Sequence, residues 1–366
     1  MASVARLALA HLPTPIHRPR RLAEAMGIDL HVKRDDMTAG PEAGNKIRKL
    51  EYLLAAAVRE GADTLITCGG LQSNHARATA LLGASLGLRA VLLLRTTDPD
   101  LTPAAPGGGA PLAEGAPGVG PGAGAPLAGQ APRVNSALLE GNVLLDRLVG
   151  AEIRLITPEA YRRRAEAMAE IAAEIRAAGG RPYVIPEGGS NGLGSLGYVR
   201  AMEEVRRQLD LGLAGGKPFD VIVHACGSGG TAAGVALGAA RHDVAAEVRA
   251  MAVCDDAPTF ERIILRIMEE ARALDPTLGA SATLVVDDRA KGPAYAVSTP
   301  EQRRLITAAA RLSGLILDPV YTGKAFAGLW DLVENGALTG KRVLFLHTGG
   351  LPGLLAQGSA FQGEVE

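Results

Sequence analysis

The 366 residues include only three cysteines, Cys68, Cys226 and Cys254. An odd number in a long chain, without metal-ligand spacing, excludes a disulfide framework and suits reduced thiols in a cytoplasm. Neither sign of charge is in excess: 38 basic residues against 39 acidic leave a net charge of −1. With no basic stripe, neither nucleic acid nor an anionic membrane is indicated as a partner. No apolar run approaches the ~18 residues that a membrane span needs. An export signal is lacking too, because Leu12-Pro13-Thr14-Pro15 interrupts the stretch before Arg20-Arg21 and no long apolar core follows. No spacing of His, Cys, Asp or Glu proposes a metal site, and no Gly-x-Ser-x-Gly elbow with partners in order proposes a serine hydrolase. What remains is a small-molecule ligand for a chain that is 47% apolar and long enough for two domains.

Lysine is scarce as well, with seven against 31 arginines. One of the seven, Lys46, sits where a helix is expected to begin, behind Gly44 and a capping Asn45. Ile47, Leu50, Leu53, Leu54, Ala57 and Val58 fall on one helical face, which puts Lys46 in the first turn, where the helix dipole disfavours an ammonium. A lysine held partly neutral is nucleophilic toward an aldehyde. The position reads either as a Schiff-base lysine for pyridoxal phosphate or as a water-facing lysine at an ordinary helix start.

Short β-rich apolar runs alternate with amphipathic stretches, the pattern of an α/β protein with largely parallel sheets. Strands are expected at 64–67, 90–94, 153–156, 183–185, 220–224, 248–253, 283–286 and 343–347, with helices between most of them. One segment breaks the alternation. From Pro99 to Pro132 the chain is dominated by Gly, Ala and Pro with almost no charge. Such a composition cannot bury enough surface to offset its ordering entropy and reads as a flexible insertion. Regular structure is expected again from near Asn135.

Three loops that follow expected strands could carry chemistry. In Gly69-Gly70-Leu71-Gln72-Ser73-Asn74-His75, the N–H groups of the last three residues precede a helix expected near Ala76 and can meet an anion such as a substrate carboxylate. Asp220 to Ala225 runs into Cys226-Gly227-Ser228-Gly229-Gly230-Thr231 and a small-residue helix. Its glycines let the backbone close on a phosphate, with Ser228 and Thr231 adding hydroxyls. Nucleotide-binding loops and plain strand-to-helix turns use similar wording. Val343 to Leu346 leads into His347-Thr348-Gly349-Gly350, at the kind of strand end where open α/β sheets bind ligands. Tyr295 and Tyr321, the latter in Asp318-Pro319-Val320-Tyr321-Thr322-Gly323-Lys324, offer phenols for acid–base work or simply for packing.

Taken together, these segments resemble the pyridoxal-phosphate lyases comprising D-cysteine desulfhydrase and 1-aminocyclopropane-1-carboxylate deaminase. The resemblance extends over nearly the whole chain, from Pro13-Thr14-Pro15 through Lys33-Arg34-Asp35-Asp36, Gly141-Asn142-Val143-Leu144-Leu145-Asp146 and Pro186-Glu187-Gly188-Gly189-Ser190-Asn191 to Thr348-Gly349-Gly350. It implies the tryptophan-synthase β-like architecture, fold type II, with two open, largely parallel sheets and flanking helices. A larger cofactor-binding domain of 1–47 and 181–366 is implied, with a smaller one of 48–180 and the cofactor between them. That cofactor is pyridoxal 5'-phosphate. The resemblance assigns Lys46 to its aldehyde, Asn74 to its ring oxygen, Thr348 to its ring nitrogen, and Gly227, Ser228, Gly229, Gly230 and Thr231 to its phosphate. Ser73, Asn74, His75 and Thr322 are implied at an amino-acid substrate, with Ser73, Tyr295 and Tyr321 joining Lys46 in catalysis. Family members are typically homodimers.

The deaminases look like Ser-Asn-Gln, Tyr-Glu-Gly-Lys and Leu-Gly-Gly where this chain has Ser73-Asn74-His75, Tyr321-Thr322-Gly323-Lys324 and Thr348-Gly349-Gly350. At all three points it resembles a desulfhydrase. A glutamate near the pyridine nitrogen would keep it protonated and the ring a strong electron sink, whereas Thr348 can only hydrogen-bond it. Thiolate leaves readily from Cβ, while an unactivated cyclopropane needs more help to open. The expected reaction is α,β-elimination of D-cysteine to pyruvate, hydrogen sulfide and ammonia. A deaminase or a cysteate lyase shares nearly every motif. A non-catalytic nucleotide or metabolite sensor built on the 227–230 loop would leave Lys46 and Ser73-Asn74-His75 unexplained. The Gly/Pro-rich insertion, Cys68 and Pro293-Ala294-Tyr295 depart from the family pattern.

Overall fold

The computed structural model describes residues 4–97 and 139–365. The 99–132 insertion and the restart near Asn135 lie outside the described residues. Among those that are described, the strands are Ile16–His17 (β1), Asp29–Lys33 (β2), Thr64–Gly70 (β3), Arg89–Arg95 (β4), Glu152–Ile156 (β5), Pro182–Val184 (β6), Phe219–Cys226 (β7), Ala245–Ala252 (β8), Thr283–Asp287 (β9) and Arg342–Leu346 (β10). The eight expected strands are all present, their ends displaced by at most three residues. β1 and β2 were not expected. β2 reads Asp-Leu-His-Val-Lys, yet His31 and Lys33 are both buried, a placement that local alternation does not announce.

Two compact units form, one from Met1–Ala56 with Gly188–Glu366 and the other from Ala57–Glu187. The first contains a six-stranded sheet in the order β1-β2-β10-β7-β8-β9, parallel except for β1 against β2. The second contains β5-β4-β3-β6, parallel throughout. The divisions fall later than 47 and 180. Helix Lys46–Arg59 remains with the first unit through Ala56 because its side chains bond there: Glu51 accepts from the Leu9 and Ala10 N–H groups, and Arg48 pairs with Asp35 and Glu204. Residues 182–187 stay with the second, since β6 pairs with β3 and the Tyr161 hydroxyl donates to Glu187.

Strands of a parallel sheet are covered on both faces, which is why β7 is a near-continuous apolar run with a single exposed residue. In the first unit, helices Gly192–Asp210, Gly230–Arg241 and Ala257–Leu274 pack on Ile222, Val248 and Leu344 of one face. Helices Arg20–Met26, Pro300–Ser313 and Thr322–Glu334 pack on Val221, Val223 and Phe345 of the other. Each buried aliphatic side chain of this kind contributes roughly 1.5–3 kcal/mol. In the second unit, helix Arg164–Ala177 covers Ile66 and Val91, and helices Asn74–Ser85 and Gly141–Leu148 cover Leu92 and Leu94.

Two features fix the start of the Lys46 helix. At Gly197 its backbone is approached so closely that a Cβ would lie 2.1 Å from the Arg48 carbonyl oxygen. Beneath it is a buried ionic cluster. Arg48 donates from Nε and Nη2 to Asp35 at 2.8 Å each and from Nη2 to Glu204 at 3.0 Å, Lys33 pairs with Glu204 at 2.5 Å, and the Tyr198 hydroxyl donates to Asp35 at 2.7 Å. Burial alone would raise the Asp35 carboxyl, but Arg48, Lys33 and Tyr198 bring it down to about 2. The Lys33-Arg34-Asp35-Asp36 segment thus holds the helix that carries Lys46.

Candidate active site

Lys46 is the first residue of its helix, and Ile47, Leu50, Leu53, Leu54 and Ala57 are buried as the pattern implies, while Val58 turns outward. Asn45 does not cap. Its Oδ1 accepts from Lys46 Nζ at 3.0 Å, its Nδ2 donates to Thr231 Oγ1 at 3.1 Å, and its backbone N–H donates to the Thr348 carbonyl at 3.1 Å. Asn45 is therefore a hub that brings Lys46, Thr231 and Thr348 together. Gly44 is required beside it, since its φ is +124° and a Cβ would come within 2.9 Å of the Thr348 oxygen.

The loop Gly227 to Thr231 lies at the carboxyl end of β7, and Gly230 opens helix Gly230–Arg241. Ser190 braces it: its Oγ accepts from the Gly230 N–H at 3.2 Å and lies 2.8 Å from Ser228 Oγ. Lys49, one turn after Lys46, is only 1% exposed and donates to the Gly188 carbonyl at 3.0 Å and to Ser190 Oγ at 3.2 Å. No carboxylate pairs with it among the described residues. Burial, and then the charge of Lys46, hold its pKa well below the usual lysine range. A buried ammonium with only neutral acceptors, beside glycine backbone at a helix N-terminus, marks a place for an anion. The loop was legible in the sequence and Lys49 was not, although two of only seven lysines three apart on one helix face were a signal.

Tyr321 lies with its ring centroid 5.8 Å from Lys46 Nζ, and a Cβ on Gly227 would lie 2.9 Å from its Cε1. Its hydroxyl is 2.6 Å from that of Tyr295, the rings meeting edge to face. Burial, and then the neighbouring Tyr295 phenol, push the Tyr321 pKa well up, so the phenol keeps its proton at neutral pH. Asp318 sets this turn, accepting the N–H groups of Val320, Tyr321 and Thr322. Thr322 differs from expectation. It is fully buried, and its hydroxyl donates to Asp318 Oδ1 at 2.7 Å while accepting the Asp318 N–H at 2.8 Å. No second proton is left there for a substrate. Thr348 is 7% exposed, between a His347 whose Nε2 is 3.1 Å from the Ile316 carbonyl and the glycines 349 and 350.

In the second unit, the helix starts at Asn74 rather than near Ala76, because Ser73 is its N-cap, with Oγ accepting the Ala76 N–H at 3.2 Å. Asn74 Oδ1 is buried with no hydrogen-bond partner among the described residues. His75 is turned inward, with Nε2 2.9 Å from the Thr67 hydroxyl. Gln72 anchors the loop by accepting the Asn142 N–H at 2.7 Å.

Thiol chemistry is disfavoured: burial pushes Cys68, Cys226 and Cys254 each up to about 12. Burial lowers His224 to about 4, which keeps it neutral. Among the described residues no group of three His, Cys, Asp or Glu could hold a metal ion. The donors present fit an aldehyde that carries a phosphate: Lys46 for the aldehyde, and for the phosphate the Gly227–Thr231 N–H groups with the uncompensated Lys49. A Cβ on Gly230 would come within 2.7 Å of Ser190 Oγ and 2.9 Å of Lys49 Nζ, so glycine alone keeps this cradle open.

The family profile described as pyridoxal-phosphate dependent enzyme matches residues 7–349. A bifunctional D-cysteine desulfhydrase/1-aminocyclopropane-1-carboxylate deaminase of Arabidopsis thaliana is 41% identical over 94% of this chain and 78% of its own length. A D-cysteine desulfhydrase of Klebsiella pneumoniae (strain 342) is 38% identical over 96% of this chain and 95% of its own. A crystal structure described as an ACC deaminase homologue is 34% identical and superposes with a TM-score of 0.80, covering 100% of this chain and 97% of that one.

Proposed function

The chain belongs to the family of pyridoxal-phosphate-dependent enzymes, and from that premise we propose that it converts D-cysteine and water to pyruvate, hydrogen sulfide and ammonia. Its two open, largely parallel sheets are those of fold type II. When bound, pyridoxal phosphate supplies an electron sink for charge developing at the substrate Cα. Lys46 would hold the cofactor by its aldehyde, and its free Nζ would take the Cα proton of the substrate. Tyr321, with Tyr295 as its hydrogen-bond partner, delivers a proton to the sulfur leaving Cβ. Lys49 and the Gly227–Thr231 loop would hold the cofactor's phosphate. The family resemblance assigns Ser73 to the substrate and Asn74 to the cofactor's ring oxygen.

The observation that carries the choice of substrate is the neutral chemistry at 322 and 348. The Thr322 hydroxyl is committed to Asp318, so Thr348 would be left to offer a hydroxyl to the ring nitrogen, and neither threonine brings a carboxylate of its own. A weaker sink still suffices when thiolate departs. The name of the Klebsiella pneumoniae (strain 342) relative supports the same reading. The purified protein, offered D-cysteine, L-cysteine, D-cysteate and 1-aminocyclopropane-1-carboxylate at equal concentration, is expected to release sulfide and pyruvate fastest from D-cysteine. Ring opening is the second reading, favoured by the double name of the Arabidopsis thaliana relative, and faster 2-oxobutyrate formation would install it. Sulfite from D-cysteate would do the same for a cysteate lyase. The resemblance further supports a homodimer, which sedimentation of the holoenzyme tests, and the free thiols support a cytoplasmic setting. Among the described residues no helix is long and apolar enough to cross a membrane.

A further inference from the structure

Lys324 stands in the first turn of helix Thr322–Glu334, three residues after Tyr321, and is fully buried. The helix dipole opposes a cation at that end, and an ammonium without water is costly unless its donors are satisfied. They are satisfied: Nζ donates to three carbonyl oxygens, Val253 at 3.1 Å, Lys291 at 2.6 Å and Ala294 at 2.8 Å. Val253 directly follows β8. Lys291 and Ala294 belong to the connection between β9 and helix Pro300–Ser313, and the residue after Ala294 is Tyr295. That connection folds around the lysine. Gly292, at φ +70°, would place a Cβ 3.5 Å from Lys324 Cε, and the Val297 N–H closes a turn onto the Ala294 carbonyl at 3.2 Å.

We infer that Lys324 is a positioning residue for the tyrosine pair: its ammonium fixes the Lys291 and Ala294 carbonyls and thereby holds the Tyr295 hydroxyl 2.6 Å from that of Tyr321. One helical turn then carries both halves of the device, Tyr321 at its mouth and the tether for Tyr295 at Lys324. Burial lowers the ammonium to about 8, with Cys254 and Asp318 opposing, so at neutral pH it retains all three N–H groups. The inference rests on the reading of Tyr321 and Tyr295 as the proton-donating pair.

Lys324→Met in the holoenzyme removes the three donors with little change of volume. Cofactor absorbance and KM for D-cysteine are expected to hold while kcat falls by about a hundredfold, as for a reacting group misplaced by ~1 Å. Added to Tyr295→Phe, the same substitution is expected to change kcat by no more than about twofold, because it acts only through that phenol. Losses that multiply in the double variant would overturn the inference. Amide hydrogen exchange of residues 290–296, measured without substrate, separates this inference from the reading beneath it. Exchange should quicken there in Lys324→Met, and unchanged exchange would refute the tether. If Tyr295→Phe alone leaves kcat untouched while exchange still quickens, the proton-donor reading fails and the tether stands. Lys324→Gln, which keeps two donors and should fall between parent and methionine variant, serves if Lys324→Met yields no soluble holoenzyme.

Discussion

Replacing Lys49 by methionine tests the anion site from two sides. Nζ is buried and donates only to the Gly188 carbonyl and Ser190 Oγ, at 3.0 and 3.2 Å. Without a phosphate it has only neutral acceptors, and burial, then Lys46, depress its pKa well below the usual 10.5. The sign follows from linkage: the folded state binds this proton more weakly than the unfolded one. At neutral pH the penalty opposes folding, and it is relieved only as pH rises from the depressed value toward 10.5. Methionine removes that penalty and also two hydrogen bonds worth about 1 kcal/mol each. The cofactor-free variant should therefore melt at the same temperature as the parent or higher. With cofactor the effect reverses, because a phosphate dianion loses a buried, charged partner, a loss of about 3–5 kcal/mol. That corresponds to a dissociation constant raised between about a hundredfold and a few thousandfold. Fluorescence titration of cofactor-free protein with pyridoxal phosphate measures the second quantity, and scanning fluorimetry with and without cofactor measures the first. Unchanged affinity combined with a lower melting temperature of the cofactor-free variant would refute the reasoning and leave Lys49 a structural tie.

Borohydride reduction of the holoenzyme followed by peptide mapping should place the cofactor on Lys46, and an adduct on Lys33, Lys49 or Lys324 would contradict the site. Asp35→Asn should cost about 3–5 kcal/mol in urea unfolding at pH 7, since Arg48 and Lys33 are left with Glu204 alone. Because the Asp35 carboxyl sits at about 2 instead of 3.8, its stabilisation is present above pH 3.8 and lost as pH falls toward 2. The gap between parent and variant should narrow over that window, and a gap independent of pH would show that Asp35 acts by packing. Shortening residues 99–132 to a brief Gly/Ser linker should leave cofactor absorbance and turnover intact, given the weak length dependence of loop closure. Lost activity in a soluble product would give that segment a catalytic part.

Much of the fold is legible in the sequence where burial on both faces forces a continuous apolar run, as at β3, β4 and β7, and where a close approach forces glycine, as at Gly44 and Gly230. β2 escapes notice because Lys33 is neutralised by Glu204 and His31 lies against Phe219, partners some 170 to 190 residues away that no local pattern contains. Asn45 has the residue type of a helix cap, and nothing local announces that its side chain bonds Lys46 and Thr231. Lys49 and Lys324 have the composition of surface residues and the environment of core ones, because their acceptors are backbone carbonyls and, for Lys49, also the distant Ser190 hydroxyl, none of which a local pattern contains. Thr322 shows the converse, a motif position that reads as a substrate contact and is turned into its own tight turn by Asp318.

The three thiols have a consequence for durability. With burial pushing Cys68, Cys226 and Cys254 up to about 12, each remains a protonated thiol at pH 7. Persulfide and mixed-disulfide formation both start from a thiolate. A catalyst whose proposed product is hydrogen sulfide thus works amid reactive sulfur while presenting almost no sulfur nucleophile of its own.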